Sequence, residues 1–217
     1  MIELRNYIEH TLLKQEASYQ DLIKFYEEAV KYGFFGVCIN GCNTKRTKEF
    51  LKDTNIKIIT VIGFPLGECT SETKAFEAAE ALKNGADEID MVMNAGALKS
   101  RDYEYVQKDI ETVKKACGSN ILKVIIETDL LNRDEIIKAC EIIVSAGADF
   151  AKTSTGFVKN GQGAKVSDIE LMAETLKGSG VKIKASGGIK TKEQALSMIK
   201  AGASRLGTSS GAAIING

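Results

Sequence analysis

Ala146-Gly147-Ala148-Asp149-Phe150 marks a point where a helical pattern ends and an apolar, strand-like run begins. Glycine at such a junction supplies the left-handed residue that ends a helix, and the chain then enters a buried strand. The same phrase returns as Asn84-Gly85-Ala86-Asp87-Glu88-Ile89 and as Ala201-Gly202-Ala203-Ser204-Arg205-Leu206, and looser versions lie at residues 32–36 and 179–181. These repeated helix-to-strand junctions predict an α/β fold built from successive strand–helix units.

Eight short apolar runs lie between the helical patterns, and we predict a strand at each. The runs are continuous rather than alternating in polarity, as expected of parallel strands that are buried on both faces. The predicted strands are residues 7–10, 36–39, 58–62, 88–92, 122–126, 150–152, 182–185 and 205–206. Eight strands with helices between most of them favour a single (β/α)8 TIM barrel, with residues 1–217 forming one catalytic domain. An open doubly wound sheet is the alternative, although no Gly-x-Gly-x-x-Gly turn follows the first strands.

Polar residues at the predicted helix starts agree with this arrangement. Asn132 with Glu135, Ser167 with Glu170 and Thr191 with Gln194 have the capping-box spacing, in which side-chain acceptors and backbone donors satisfy one another. Ser18 and Ser71 are predicted to cap two earlier helices.

Length and composition exclude several classes of partner. The 217 residues are enough for a substantial core, and 29 basic residues balance 29 acidic ones, so nothing indicates a nucleic-acid surface. We see no signal peptide and no apolar run of membrane-spanning length, and the five irregularly spaced cysteines read as reduced thiols. We therefore expect a cytoplasmic protein. The single histidine excludes a multi-histidine metal site, and Cys38 with Cys42 is a poor ligand set, so no metal or cofactor is expected.

Two lysines lie where an apolar run gives way to small residues, in Ala151-Lys152-Thr153-Ser154-Thr155-Gly156 and in Lys184-Ala185-Ser186-Gly187-Gly188-Ile189. Burying an ammonium group is costly unless its charge is paired or discharged. Lysines on neighbouring strands would each disfavour the charged form of the other, and the neutral amine is the form that attacks a carbonyl. The pattern indicates Schiff-base chemistry. The simpler interpretation is a pair of surface lysines at strand ends.

Asp90 lies inside the apolar run of residues 88–93, so its carboxylate is predicted to be buried and to need a partner. The carboxyl ends of barrel strands meet at one face, where Asp90 and the two lysines would come together. Asp90 with Lys184 would then form a proton-transfer pair beside Lys152, as iminium formation and breakdown require. The alternative is a charge pair that only fills the barrel.

Small residues after the last two strands predict a phosphate site. Gly187-Gly188 follows Lys184, and Gly207-Thr208-Ser209-Ser210-Gly211 follows the last strand. Small residues let backbone amides approach a phosphate, and serine hydroxyls can complete the site. Barrels often bind phosphate after strands seven and eight, which is where these two segments fall.

Taken together, these stretches resemble the deoxyribose-phosphate aldolases, a family of class I aldolases. The matching segments run in order along essentially the whole chain: HTLLK (10–14), VCIN (37–40), VIGFPLG (61–67), GADEID (85–90), KVIIET (123–128), KTSTGF (152–157), KASGGI (184–189) and GTSSG (207–211). The resemblance implies the reversible, metal-free cleavage of 2-deoxy-D-ribose 5-phosphate to acetaldehyde and D-glyceraldehyde 3-phosphate, in deoxyribose phosphate catabolism. It also implies a homodimer.

The resemblance assigns roles to individual residues. Lys152 matches the Schiff-base lysine, Lys184 matches the second lysine that keeps it neutral and joins the proton relay, and Asp90 matches the acid/base carboxylate. The segments of the family that contact phosphate contain Gly156, Gly187, Gly188, Ser209 and Ser210. Glu9, Thr11 and Cys38 are expected to line the rest of the pocket.

One position departs from the family pattern. The family usually has Asp where this chain has Glu9, and the extra methylene shifts the carboxylate by about one bond length, which puts the rate in doubt. Glu9 could still reach Lys184 in another rotamer. Because side chains alternate along a strand, His10 should then point outward toward a helix as a packed structural histidine.

Two other functions stay open at this point. A different Schiff-base barrel lyase, such as a transaldolase-like or sugar-bisphosphate aldolase, would release a donor product other than acetaldehyde. A non-catalytic barrel that senses a sugar phosphate would bind its ligand without covalent trapping. Glu127 and Asn40 also lie at strand ends where they could contact a substrate.

Overall fold

The computed structural model describes residues 2–217, in which eight parallel strands close into a barrel. The strands are β1 (Ile8–Leu12), β2 (Gly36–Asn40), β3 (Lys57–Ile62), β4 (Glu88–Val92), β5 (Ile121–Ile125), β6 (Phe150–Lys152), β7 (Lys182–Ser186) and β8 (Arg205–Thr208). Each strand pairs with the next along the chain, and β8 pairs with β1. The predicted (β/α)8 barrel is confirmed, and the open sheet is excluded.

Helices follow the strands and surround the barrel. They are α1 (Tyr19–Tyr32), α2 (Thr44–Leu51), α3 (Ser71–Lys83), α4 (Ala95–Lys99), α5 (Tyr103–Cys117), α6 (Arg133–Ser145), α7 (Val166–Thr175), α8 (Lys192–Ala201) and α9 (Gly211–Asn216). Short 3-10 turns cover Leu4–Tyr7, Gly41–Asn43 and Thr128–Leu130. The first strand therefore begins one residue later than predicted, because Tyr7 belongs to the turn before it.

The predicted helix starts are partly right. Capping boxes at Asn132 and Thr191 are present, and Ser18 caps α1. The prediction at Ser71 is wrong by one residue, because the hydroxyl of Thr70 accepts the hydrogen bond from Thr73 N at 3.3 Å. The prediction at Ser167 is wrong because α7 has already begun at Val166.

The glycines of the recurring junctions behave as their position predicts. Gly85, Gly147 and Gly202 have φ values of +104°, +73° and +123°. Residues with a side chain rarely adopt this region, so glycine lets each helix end and the next strand enter the barrel.

The barrel interior has an apolar side and a charged side. Leu13, Cys38, Ile59 and Val61 form a small apolar cluster separate from the main core. Glu9, Asp90, Lys123, Lys152 and Lys184 are buried polar residues of the other strands. The main core lies between the barrel and the helices.

His10 points away from the interior, as predicted. Its ring stacks on Phe25 with centroids 4.7 Å apart, and its Nε2 lies 3.3 Å from Glu28 Oε1. Burial lowers the pKa of His10 to about 4, so the imidazole is neutral near pH 7.

Among residues 2–217, no helix combines the length and apolar character that crossing a membrane requires.

Candidate active site

A cavity of about 310 Å³ opens at the carboxyl ends of the strands. Most of its walls are small or hydroxyl-bearing residues at or just after the ends of β1, β6, β7 and β8, including Thr11, Ser154, Gly156, Gly187, Gly188, Ser209 and Ser210. Lys152 is the lysine at the end of β6, and it lines the same cavity. The structure therefore gathers the predicted phosphate-site residues around Lys152.

Asp90 lies beneath this cavity and joins the two predicted lysines. Its Oδ2 accepts hydrogen bonds from Lys152 Nζ at 2.8 Å and from Lys184 Nζ at 2.7 Å. The strand register explains the meeting, because Lys152 lies opposite Lys184 in the β6–β7 ladder. All three side chains are buried. The interpretation of both lysines as surface residues is therefore wrong.

Lys123 is a third lysine in this cluster, and we predicted no role for it from the sequence. Its Nζ lies 3.0 Å from Asp90 Oδ1, 2.5 Å from Glu88 Oε2 and 3.5 Å from Glu9 Oε1. The sequence did carry a signal, since Lys123 stands between Leu122 and Val124 in an apolar run, as Asp90 does in its own. Three buried lysines thus face three carboxylates inside the barrel.

The neighbouring charges determine the pKa values of Asp90 and Lys184. Burial alone would raise the pKa of Asp90, but Lys123, Lys152 and Lys184 outweigh it and hold that pKa well below its usual range. Burial would lower the pKa of Lys184, but the carboxylates of Asp90 and Glu9 hold it above its usual range. For Lys184 the two carboxylates therefore outweigh burial and any repulsion from a neighbouring lysine, so the ammonium form is favoured. At neutral pH Lys184 is charged and Asp90 is ionised.

Glu9 does reach Lys184, although its side chain is longer than the aspartate of the family pattern. Its Oε2 accepts a hydrogen bond from Lys184 Nζ, and its Oε1 lies 3.8 Å from Arg205 Nε. Glu9 is fully buried and supports the cluster from below. Its expected place in the pocket wall is corrected accordingly, because its position on β1 is two residues deeper than that of Thr11, which does line the cavity.

Cys38 also lies away from the cavity wall, contrary to expectation. It packs with Leu13, Ile59 and Val61 in the apolar side of the barrel. Burial raises the pKa of its thiol, which keeps it protonated and weakly nucleophilic near pH 7.

The predicted phosphate-site glycines adopt backbone conformations that favour glycine. Gly156, Gly187 and Gly188 have φ values of +82°, +84° and +75°. A Cβ at Gly188 would also lie 2.5 Å from the carbonyl oxygen of Gln162. Ser209 and Ser210 face the same cavity from the loop after β8. The loops after β6, β7 and β8 therefore leave small, backbone-rich walls around one space.

Gly207 leaves room for the side chain of Lys184, because it has no side chain of its own. A Cβ there would lie 2.9 Å from Ser186 Cβ and 3.1 Å from Lys184 Cε. We expect Gly207→Ala to displace Lys184 and to destabilise the protein by about 1–3 kcal/mol, as measured by urea unfolding. Gly41→Ala is the matched control, because its Cβ would find its nearest neighbour, Thr60 Cγ2, at 3.9 Å. Equal losses in both variants would contradict the prediction.

Comparisons with known proteins agree with this geometry. A family model described as DeoC/LacD family aldolase matches residues 7–216. A deoxyribose-phosphate aldolase from Mycoplasma capricolum is 53% identical over 208 residues, which cover 96% of this chain and 92% of the relative. A deoxyribose-phosphate aldolase from Enterococcus faecalis is 54% identical over 217 residues, which cover 100% of this chain and 97% of the relative. The solved structure of the tetrameric deoxyribose phosphate aldolase from Aeropyrum pernix superposes with a TM-score of 0.90 at 32% identity, covering 98% of this chain and 89% of that one.

Proposed function

Because the chain belongs to the DeoC/LacD family of aldolases, we propose that Lys152 forms the Schiff base in reversible cleavage of 2-deoxy-D-ribose 5-phosphate to D-glyceraldehyde 3-phosphate and acetaldehyde. One observation carries the assignment of roles. Lys152 lines the open cavity, while its two hydrogen-bonded neighbours, Asp90 and Lys184, are buried beneath it. The member of the cluster that lines the cavity is the nucleophile, and the two members beneath it move protons.

The first step is the attack of Lys152 on the aldehyde carbon of the open-chain sugar. The attacking form is the neutral amine, and Asp90 Oδ2 accepts a hydrogen bond from Lys152 Nζ, which orients that nitrogen at the cavity. The resulting carbinolamine takes up a proton at its hydroxyl group and loses water to give the iminium.

The iminium then accepts the electrons of the breaking bond. A base removes the proton of the C3 hydroxyl, the C2–C3 bond breaks, and its electron pair forms the enamine on Lys152. D-Glyceraldehyde 3-phosphate leaves as the aldehyde. Protonation of the enamine carbon and hydrolysis of the new iminium release acetaldehyde and restore the free lysine. Asp90 and Lys184 supply and remove these protons from below the cavity.

Phosphate binding holds the substrate in register for this chemistry. We assign this role to Gly156, Gly187, Gly188, Ser209 and Ser210, which line the cavity with Lys152. Backbone amides beside small residues suit a phosphate, and binding energy gained away from the reacting bond can be used to orient it. A phosphate held by these five residues would therefore direct the aldehyde end of the sugar to Lys152.

We also propose that residues 1–217 form one catalytic domain that acts as a cytoplasmic homodimer. A single closed barrel supports the first part, since its last strand pairs with its first. The relative from Aeropyrum pernix is tetrameric, which supports self-association among these proteins. A mass equal to that of one chain in light scattering would contradict the dimer. Fractionation of cells tests the cytoplasmic location.

The proposal is tested by trapping the Schiff base. We expect borohydride reduction in the presence of 2-deoxyribose 5-phosphate to leave an adduct on the peptide that contains Lys152, detected by mass mapping. An adduct on Lys184 alone would reverse the two lysine roles. Ligand binding without any adduct would instead favour a non-catalytic barrel. Detection of a product other than acetaldehyde would favour a different Schiff-base aldolase.

A further inference from the structure

Glu127 combines an unusual backbone with a buried carboxylate. Among residues 2–217, three residues other than glycine have positive φ, namely Arg101, Glu127 and Asn160, and of these Glu127 alone is buried. Its φ and ψ are +59° and +66°, and the residue is 5% exposed. Residues with a side chain adopt this left-handed region at an energetic cost, and such positions concentrate at functional sites.

The carboxylate of Glu127 is directed at one residue. Its Oε1 and Oε2 accept hydrogen bonds from Thr155 N at 3.1 Å and 3.3 Å, and Oε2 also accepts one from Thr155 Oγ1. Thr155 Oγ1 in turn accepts a hydrogen bond from Phe157 N at 3.1 Å. The strained backbone and the buried charge therefore serve a single contact with the loop after β6.

This loop, residues 153–157, joins the two halves of the proposed site. It begins directly after Lys152 and contains Gly156. Backbone hydrogen bonds fix its beginning, with Ile126 N donating to Lys152 O and Thr128 N donating to Thr153 O, both at 2.9 Å. Past that point the contact with Glu127 holds Thr155, the residue that leads into Gly156.

We propose that Glu127 is a positioning residue that fixes the phosphate-binding part of this loop relative to Lys152. It lets the enzyme use the phosphate of its substrate to direct the aldehyde end to the lysine. Glu127 acts through Thr155, because it lines a separate, mostly apolar cavity of about 300 Å³ on the far side of Thr155 and Phe157. The inference rests on the proposed function, since it presumes the Schiff base at Lys152 and a phosphate site at Gly156.

The test compares two substrates in two variants. Glu127→Gly removes the carboxylate at a position where glycine adopts the observed φ without strain. Glu127→Gln keeps a group that can accept from Thr155 N and donate to Thr155 Oγ1. Each is assayed for kcat/KM with 2-deoxyribose 5-phosphate and with unphosphorylated 2-deoxyribose. Arg101→Gly is the matched control, because Arg101 has a φ of +61° but is exposed and lies on another loop, between α4 and α5.

We expect Glu127→Gly to lower the ratio of the two kcat/KM values by roughly 10-fold or more, mainly through a higher KM for the phosphorylated sugar. The activity with 2-deoxyribose should stay within about threefold of wild type, because Asp90 and the β6 backbone still hold Lys152. Glu127→Gln should restore the ratio, and Arg101→Gly should leave it unchanged.

Three outcomes would overturn the inference. Unchanged kcat/KM values with both substrates in Glu127→Gly show that the phosphate is used equally well without the carboxylate. Equal losses with both substrates point to a general structural role. Failure of Glu127→Gln to restore the ratio shows that charge, rather than the contact with Thr155, matters. Absence of an adduct in the wild-type protein would instead be a failure of the proposed function itself.

Discussion

Lys152→Met is expected to lower kcat for 2-deoxyribose 5-phosphate by at least about 10⁴-fold, because methionine offers no amine to form the iminium. Methionine resembles lysine in length and flexibility, so it should fill the same space beside the cavity. The folded state should survive, since Asp90 keeps its contacts with Lys184 at 2.7 Å and with Lys123 at 3.0 Å. Release of acetaldehyde from purified protein measures the loss, and circular dichroism confirms that the variant is folded.

Lys182→Met is the matched control for this change. Lys182 begins β7, two residues before Lys184, and it is exposed. Its replacement should leave kcat within about twofold of wild type. If Lys152→Met retained a tenth of wild-type activity, or if Lys184→Met lost more than Lys152→Met, Lys152 would not be the nucleophile.

Some features could be predicted from local sequence patterns and from the order of the strands along the chain. Asp90 could be singled out because it interrupts an apolar run, and a buried carboxylate needs a partner. Lys152 and Lys184 could be paired because they lie on two successive strands, which a parallel barrel places side by side. The helix-ending glycines at 85, 147 and 202 could be recognised because their conformation is a local property.

The rest of the site depends on closure of the barrel, which no local pattern encodes. Lys123 meets Asp90 on the adjacent strand but also Glu9 on β1, and only the closed sheet brings β1 and β5 to the same interior. The position of Cys38 away from the cavity wall likewise depends on its packing with Leu13 inside the closed barrel. Glu127 was recognised as a residue at a strand end, but its left-handed backbone and its contact with Thr155 had no signal in the sequence.

The second large effect is expected for Asp90→Asn, which should destabilise the protein and also impair catalysis. Asp90 is fully buried and contacts Lys123, Lys152 and Lys184. Removing its charge leaves Lys123, Lys152 and Lys184 with the carboxylates of Glu9 and Glu88 only, and breaking a buried pair typically costs about 3–5 kcal/mol. Loss of the proton acceptor next to Lys152 should lower kcat by roughly 10²–10⁴-fold.

The sign of the pH dependence follows from the low pKa of Asp90 in the folded protein. A depressed pKa contributes stability that is complete above the pKa of the unfolded chain, about 4 for aspartate, and that is lost as pH falls from there through the lower folded-state pKa. Urea unfolding of the wild type and of Asp90→Asn should therefore give a stability difference that is constant between about pH 5 and 7 and narrows below about pH 4. Asp53→Asn, at an exposed position, should show no such difference at any pH. If the stability difference already narrows between about pH 5 and 7, the Asp90 carboxyl takes up its proton in that range. The neighbouring lysines would then not hold its pKa low, and the cluster would not carry the charges assigned to it.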